Sequence, residues 1–145
     1  YYEMQELGFN YRLTDIQSAL GITQLAKNKT GVERRNEIAT AYKKAFEGKI
    51  KFQFLPNGML NAHHLFVIEV ENRKEVYDYL HANGILAQIH YIPVHILPYY
   101  KEIGYKGAEL INAEYYYSRC ISLPMFPSLT DEEQDYVIEK TLNFI

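Results

Sequence analysis

The chain has 145 residues, 48% of them hydrophobic and 23% charged, and 15 Lys+Arg against 18 Asp+Glu leave a formal net charge of −3. Such a composition suits one folded domain with a sizeable core; it lacks the basic excess that drives phosphate-backbone binding, and no apolar run approaches the roughly 20 residues that span a bilayer, so neither nucleic acid nor a membrane is an expected partner. The lone Cys120 excludes an internal disulfide and a thiolate zinc site, and a reducing, cytoplasmic compartment is the expectation.

The chain begins at Tyr1 and runs directly into Met4, Leu7, Phe9 and Tyr11. A fragment of a longer protein is therefore expected, since natural N-termini are often polar tails. The first helix signal is Thr14-Asp-Ile-Gln17, the spacing of a reciprocal capping box. Behind it Ile16, Ala19, Leu20, Thr23 and Ala26 recur at helical spacing, which predicts a helix over 14–27 with Asn28 as its left-handed cap. Thr30-Gly-Val-Glu33 repeats the capping spacing and predicts a second helix over 31–46, with a stripe through Val32, Arg35, Ile38, Ala39, Tyr42 and Phe46. Gly48 closes it, and the stretch to Gly58 reads as an edge strand or an extended loop.

The run Leu65–Val70 is short, β-branched and aromatic, hence a buried strand. Asn72 is placed to cap a third helix, with Val76, Tyr79 and Leu80 facing inward and Asn83-Gly84 ending it, and Ile85–Tyr91 reads as a returning strand. After a loop with Pro93 and Pro98, a helix is predicted near Ala108–Arg119, then a short strand at Ile121–Leu123, then a terminal helix opened by the capping box Thr130-Asp-Glu-Glu133. The expected fold class is α/β, in the α+β two-layer form, with helices packed on one face of a small sheet.

Three groups of residues are candidates for chemistry. His90-Tyr-Ile-Pro-Val-His95 lies where a strand gives way to a loop, a common place for sites. Two histidines five apart share no face, and no third metal ligand is near, so the open alternatives are a loop hydrogen bond or contact with an anionic substrate. Gly8-Phe-Asn-Tyr-Arg12 sets an amide and a fixed cation just before a capped helix, which fits either a turn or a phosphate contact. His63-His64 and Cys120 have no partner motif and read as structural, the thiol as a small buried hydrophobe.

GFNYRLTDIQSALGITQL at 8–25, followed by ERRNEIATAY at 33–42, closely resembles the hallmark segment of the DegT-type (DegT/DnrJ/StrS) sugar aminotransferases. HYIPVHILPYY at 90–100 and ISLPMFPSLTDEEQDYVI at 121–138 resemble that family's later blocks, in the expected order. The resemblance implies a pyridoxal-phosphate enzyme of aspartate-aminotransferase fold, a homodimer acting on a nucleotide-linked keto sugar with an amino donor such as glutamate. The wording is nearest the transaminases that make UDP-linked 4-amino-4,6-dideoxy sugars for bacterial surface glycans. It also implies that the lysine carrying the cofactor lies upstream in a large domain, since none of the ten lysines sits in the family's lysine motif. Residues 1–47 would then be a helical segment leading from that domain, and 48–145 the C-terminal small α/β domain, with no catalytic residue of its own. By the same resemblance Asn10 reaches the phosphate of the cofactor in the neighbouring subunit, and Arg12, His90 and His95 lie near the substrate. His95-Ile-Leu97-Pro98 departs from the family's His-x-Gln-Pro, and Asn28-Lys-Thr-Gly31 from its usual continuation. A non-catalytic small-molecule-binding or dimerisation module is the alternative that the residues alone leave open.

Overall fold

The computed structural model describes residues 6–9, 11–56, 58–104 and 110–145. Thr14 opens the first helix as expected: its hydroxyl accepts from the Gln17 N–H while the Gln17 side chain accepts from the Thr14 N–H, so two donors with no helical partner are satisfied reciprocally. The helix then runs without a break as α1, Asp15–Phe46, 32 residues or about 48 Å. This corrects the expectation of two helices. Neither Asn28 nor Gly31 adopts the positive φ that a cap or turn there would need, and Lys29 and Glu33 face each other across one helical turn instead. Gly31 costs helical stability, and a Cβ in its place would meet Pro127 Cγ at 3.5 Å, an ordinary contact.

Only the C-terminal half of α1 is buried. Ile38, Ala39, Tyr42 and Phe46 enter the core with Phe66, Ile68, Val76, Leu80, Ile121 and Val137. Tyr42 and Phe46 stack at 5.7 Å and Phe66 lies against Tyr42 at 4.9 Å, the offset arrangement that aromatic rings prefer. Burial pushes the Tyr42 phenol well above its ordinary pKa, and its O–H donates to the Pro124 carbonyl at 3.0 Å. The sheet is antiparallel in the order β1 (Lys51–Phe52), β2 (Phe66–Glu69), β3 (Cys120–Leu123). Its register sets Phe66 opposite Leu123 and Ile68 opposite Ile121, so all four point to the core, where α2 (Arg73–Ala82) and α5 (Asp131–Phe144) join α1. The α/β, α+β two-layer architecture is thus as expected. Asn72 stands at the head of α2 without a side-chain cap bond, contrary to expectation, because its backbone is not in the extended form a cap uses. The expected strand Ile85–Tyr91 reduces to a single antiparallel bridge, Gln88 to Ser122. It runs in the same direction as β2 on the far side of β3, and a tight Ile85–Ala87 turn ends the pairing on its N-terminal side. A 3-10 turn at Val94–Ile96 and the short α3 (Pro98–Glu102) precede α4 (Ile111–Arg119), which begins later than expected.

A polar belt fastens the middle of α1 to the loops. Arg35 Nη1 donates to the carbonyls of His63 at 3.1 Å and Met125 at 3.1 Å, Asn36 donates to Asn61 O at 3.0 Å, and Arg34 bonds Leu129 O at 2.8 Å and Asp131 at 2.7 Å. His63 is buried at positive φ (46°) with its N–H on Asn61 Oδ1, which agrees with the structural role expected of it. Burial, with a smaller effect from the charge of Lys43, lowers its pKa from the ordinary 6.5.

Two outcomes follow from this packing. Gly31→Ala should stabilise the fold by about 0.5–1 kcal/mol, because Ala is the better helix former and its methyl meets Pro127 at an ordinary contact distance; a turn at this position would instead make the variant less stable in urea unfolding. The lowered pKa of His63 means that the unfolded chain takes up the proton first as pH falls, so its contribution is intact above about pH 6.5 and is lost below it. His63→Asn keeps a residue tolerant of positive φ and removes the titration. The variant should show a smaller fall in urea midpoint than the wild type between pH 7.5 and 5.

Candidate functional site

The best-built cluster lies on the sheet face opposite the core. Alternation along β3 turns Cys120 and Ser122 to that side, opposite Glu69 and Val67 of β2. The chain leaving Gln88 brings His90 onto the same face, where His90 Nδ1 sits 2.9 Å from Ser122 Oγ. The Cys120 thiol, 1% exposed, points to the carbonyls of Tyr117 at 3.6 Å and His90 at 3.8 Å, and burial pushes its pKa up. It is the inert buried group that sequence reasoning expected. Tyr116 borders this face, and its phenol is raised by burial and then by the charges of Cys120 and Glu69. Arg73 lies 4.7 Å over the Tyr117 ring and bonds the Tyr117 carbonyl, which ties α4 to α2.

His95 is held differently. It sits in the 3-10 turn with its side chain largely covered, and its Nε2 is 2.9 Å from Glu114 Oε1 on α4, a carboxylate about half exposed. The two histidines of the motif therefore have separate anchors, one on β3 and one on α4. Between and beyond them Tyr91, Ile92, Val94, Tyr99 and Ile103 stand exposed. Ser122 and Glu114, 32 and 19 residues from their histidines, were not legible as site residues; the only signal for Ser122 is a polar residue in the middle of an apolar strand.

The N-terminal candidates sit elsewhere in the sequence and carry less geometry. Asn10 lies outside the described residues. Arg12 is exposed in the irregular stretch between Tyr11 and the Thr14 cap, just before the N-terminus of α1. Around it Leu7, Phe9, Tyr11, Leu13 and Ile16 are all more than 75% exposed, and Leu20, Ile22 and Leu25 continue the apolar surface along the free half of α1. An open cleft of about 1010 Å³ lies under the middle of α1, lined in part by Lys27, Arg34, Arg35 and His64. Arg34 and Arg35 are engaged there by the belt described above. Among the described residues no three His, Cys, Asp or Glu side chains come together as a metal site, and no helix is long and apolar enough to cross a membrane.

Residues 1–142 match the model of the DegT/DnrJ/EryC1/StrS aminotransferase family. The whole chain aligns at 38% identity with 40% of a spore coat polysaccharide biosynthesis protein, SpsC, of Bacillus subtilis. At 33% identity 97% of it aligns with 39% of a UDP-4-amino-4,6-dideoxy-N-acetyl-beta-L-altrosamine transaminase of Helicobacter pylori. A DegT DnrJ EryC1 StrS aminotransferase from Brucella abortus superposes with a TM-score of 0.87 at 35% identity, over 99% of this chain and 39% of that one. The chain thus spans about two-fifths of the length of the relatives it matches. It belongs to the DegT/DnrJ/EryC1/StrS aminotransferase family.

Proposed function

We propose that this chain is the C-terminal part of a pyridoxal-phosphate-dependent aminotransferase that passes an amino group, from a donor such as glutamate, to a keto carbon of a nucleotide-linked sugar in surface-polysaccharide synthesis. The observation that carries the reading is the family match from residue 1 to residue 142. A UDP-linked 4-keto-6-deoxy sugar is the substrate class favoured by the transaminase relatives. The many exposed apolar side chains between Leu7 and Leu25 support a larger homodimeric protein, since monomers seldom leave so many bare in one region. Residues 1–47 would lead from a large domain into a small one, 48–145, whose core the C-terminal half of α1 completes, and the assembled enzyme would work in the cytoplasm.

The residues described here fit the cofactor at its phosphate end only. Gly8, Phe9 and Tyr11 to Leu13 are exposed and lead to a capped helix N-terminus with Arg12 beside it, a setting that favours an anion. None of the chain's ten lysines sits in the lysine motif of the family that the chain resembles, so the lysine that holds the cofactor would belong to the part of the protein upstream. When bound, the cofactor supplies the electron sink for amino transfer. Asn10 would donate its side-chain amide to a phosphate oxygen in the neighbouring subunit, adding no charge. Arg12 would offer a fixed cation to the substrate's anionic groups. His90 and His95 would form one wall of the substrate cleft, orienting the sugar and excluding water.

In the full-length enzyme Asn10→Ala should weaken cofactor affinity by about 10- to 150-fold, the equivalent of about 1.5–3 kcal/mol for a hydrogen bond to a charged acceptor. Asn10→Asp should be weaker still, because it sets a carboxylate against the phosphate. Titration of the apo proteins measures both, and unchanged affinity in the two variants removes Asn10 from the site. The 145-residue chain alone, mixed with pyridoxal phosphate and reduced with borohydride, should show no single lysine modified stoichiometrically by mass spectrometry. One such lysine would place the cofactor-holding residue in this segment and overturn the division of labour proposed here.

A further inference from the structure

The bridge between Gln88 and Ser122 has a consequence for the tautomer of His90. Ser122 N–H donates to Gln88 O at 2.7 Å and Gln88 N–H donates to Ser122 O at 3.0 Å, so the two backbones are locked opposite each other. Opposed residues send their side chains to the same face, and the second residue along returns to it, which brings the His90 ring to Ser122. The His90 carbonyl is met by the Cys120 thiol on that same face, so the ring and the main chain of His90 are both fixed by β3.

Ser122 is 4% exposed, and among the described residues its hydroxyl makes no side-chain bond except to His90 Nδ1. A hydroxyl carries one proton to donate, and a buried donor left unmade is costly. With no other acceptor at hand, the Ser122 O–H goes to Nδ1. A neutral imidazole that accepts at Nδ1 carries its own proton at Nε2, and His90 Nε2 makes no hydrogen bond among the described residues.

We propose that Ser122 is a positioning residue that holds His90 as the Nε2–H tautomer, so that His90 presents a hydrogen-bond donor to an acceptor oxygen of the bound sugar nucleotide. The functional half of this inference rests on the reading above that His90 lines the substrate cleft. The tautomer itself rests only on the geometry at β3. His90 then acts by directing the substrate, and proton abstraction falls to another group.

The test uses the full-length holoenzyme with ¹⁵N-labelled histidine. Neutral His90 should show an unprotonated Nδ1 and a protonated Nε2, and Ser122→Ala should shift it toward a mixture of tautomers. With a UDP-linked keto sugar as substrate, Ser122→Ala should raise KM several-fold, about twofold from the mixed tautomers and the rest from a ring no longer anchored to β3, while kcat changes less than twofold; Ser122→Thr, which restores the hydroxyl, should recover most of the loss. On a His90→Ala background, Ser122→Ala should have no further effect on KM. Thermal melts of each variant separate these effects from loss of fold, with Ser122→Thr as the informative variant if Ser122→Ala melts early. A protonated Nδ1 in the wild type, or additive effects of the two alanine variants, overturns the inference. If His90→Ala raises KM and Ser122→Ala does not, this inference falls while the substrate-cleft reading stands. If neither changes KM, the placement of His90 at the substrate falls and takes the functional half with it.

Discussion

The structure hangs on one constraint: α1 is a single rod, and only half of it has anything to pack against. Its C-terminal half supplies the aromatic pair Tyr42 and Phe46 that Phe66 closes over. At the point where burial stops, three consecutive residues, Arg34, Arg35 and Asn36, send donors to the carbonyls of Leu129, His63, Met125 and Asn61. Loop carbonyls near a core need partners, and long cationic or amide side chains reach them while their stems cover apolar surface. The belt therefore fixes the loop entering β2 and the loop leaving β3, which lie at the same end of the sheet, to one straight element. Above it the helix continues bare, its direction already set by the part that is held.

β3 is the second organiser. All four of its residues are buried, so both faces of the strand are covered. Ile121 and Leu123 face α1, α2 and α5, and their neighbours Cys120 and Ser122 face the chain after Gln88 and the end of α4. A serine on a fully buried strand is costly unless it is paired. Here the pairing partner is the imidazole of a motif that the sequence had already marked, which gives the polar residue a purpose that packing alone would not supply.

What could be read from the sequence was mostly local. The boxes at Thr14 and Thr130 both form, because the residues that make them are three apart and depend on little beyond the first turn. The stripe Ile38, Ala39, Tyr42, Phe46 and the strand around Phe66–Glu69 also stand as read. Errors arose where one local signal competed with another. Thr30-Gly-Val-Glu33 has cap spacing, yet an intact ladder of backbone bonds on both sides outweighs the modest helical cost of Asn28 and Gly31. Ile85–Tyr91 has strand propensity, yet before Gln88 the tight turn at Ile85–Ala87 and Pro124 just past Leu123 stop the ladder at the Ser122 bridge. The partners of His90 and His95 were invisible because nothing in a spacing of 32 or 19 residues encodes a meeting.

The two histidine anchors also differ in kind, which bears on how the motif can work. His90 is bound by a buried neutral hydroxyl on a strand whose backbone is bridged on either side, so salt has little to screen and the ring has little room to turn. His95 meets a half-exposed carboxylate on α4, and that contact is an ion pair only when the ring carries a proton. Exposed ion pairs contribute little and weaken with ionic strength. The segment from Pro93 to Glu102, with its 3-10 turn and five-residue helix, is therefore held firmly at its start and more weakly further along. If the proposed substrate cleft lies beside this segment, its two histidines would differ as walls, the His90 ring firmly placed by β3 and the His95 ring more loosely by α4.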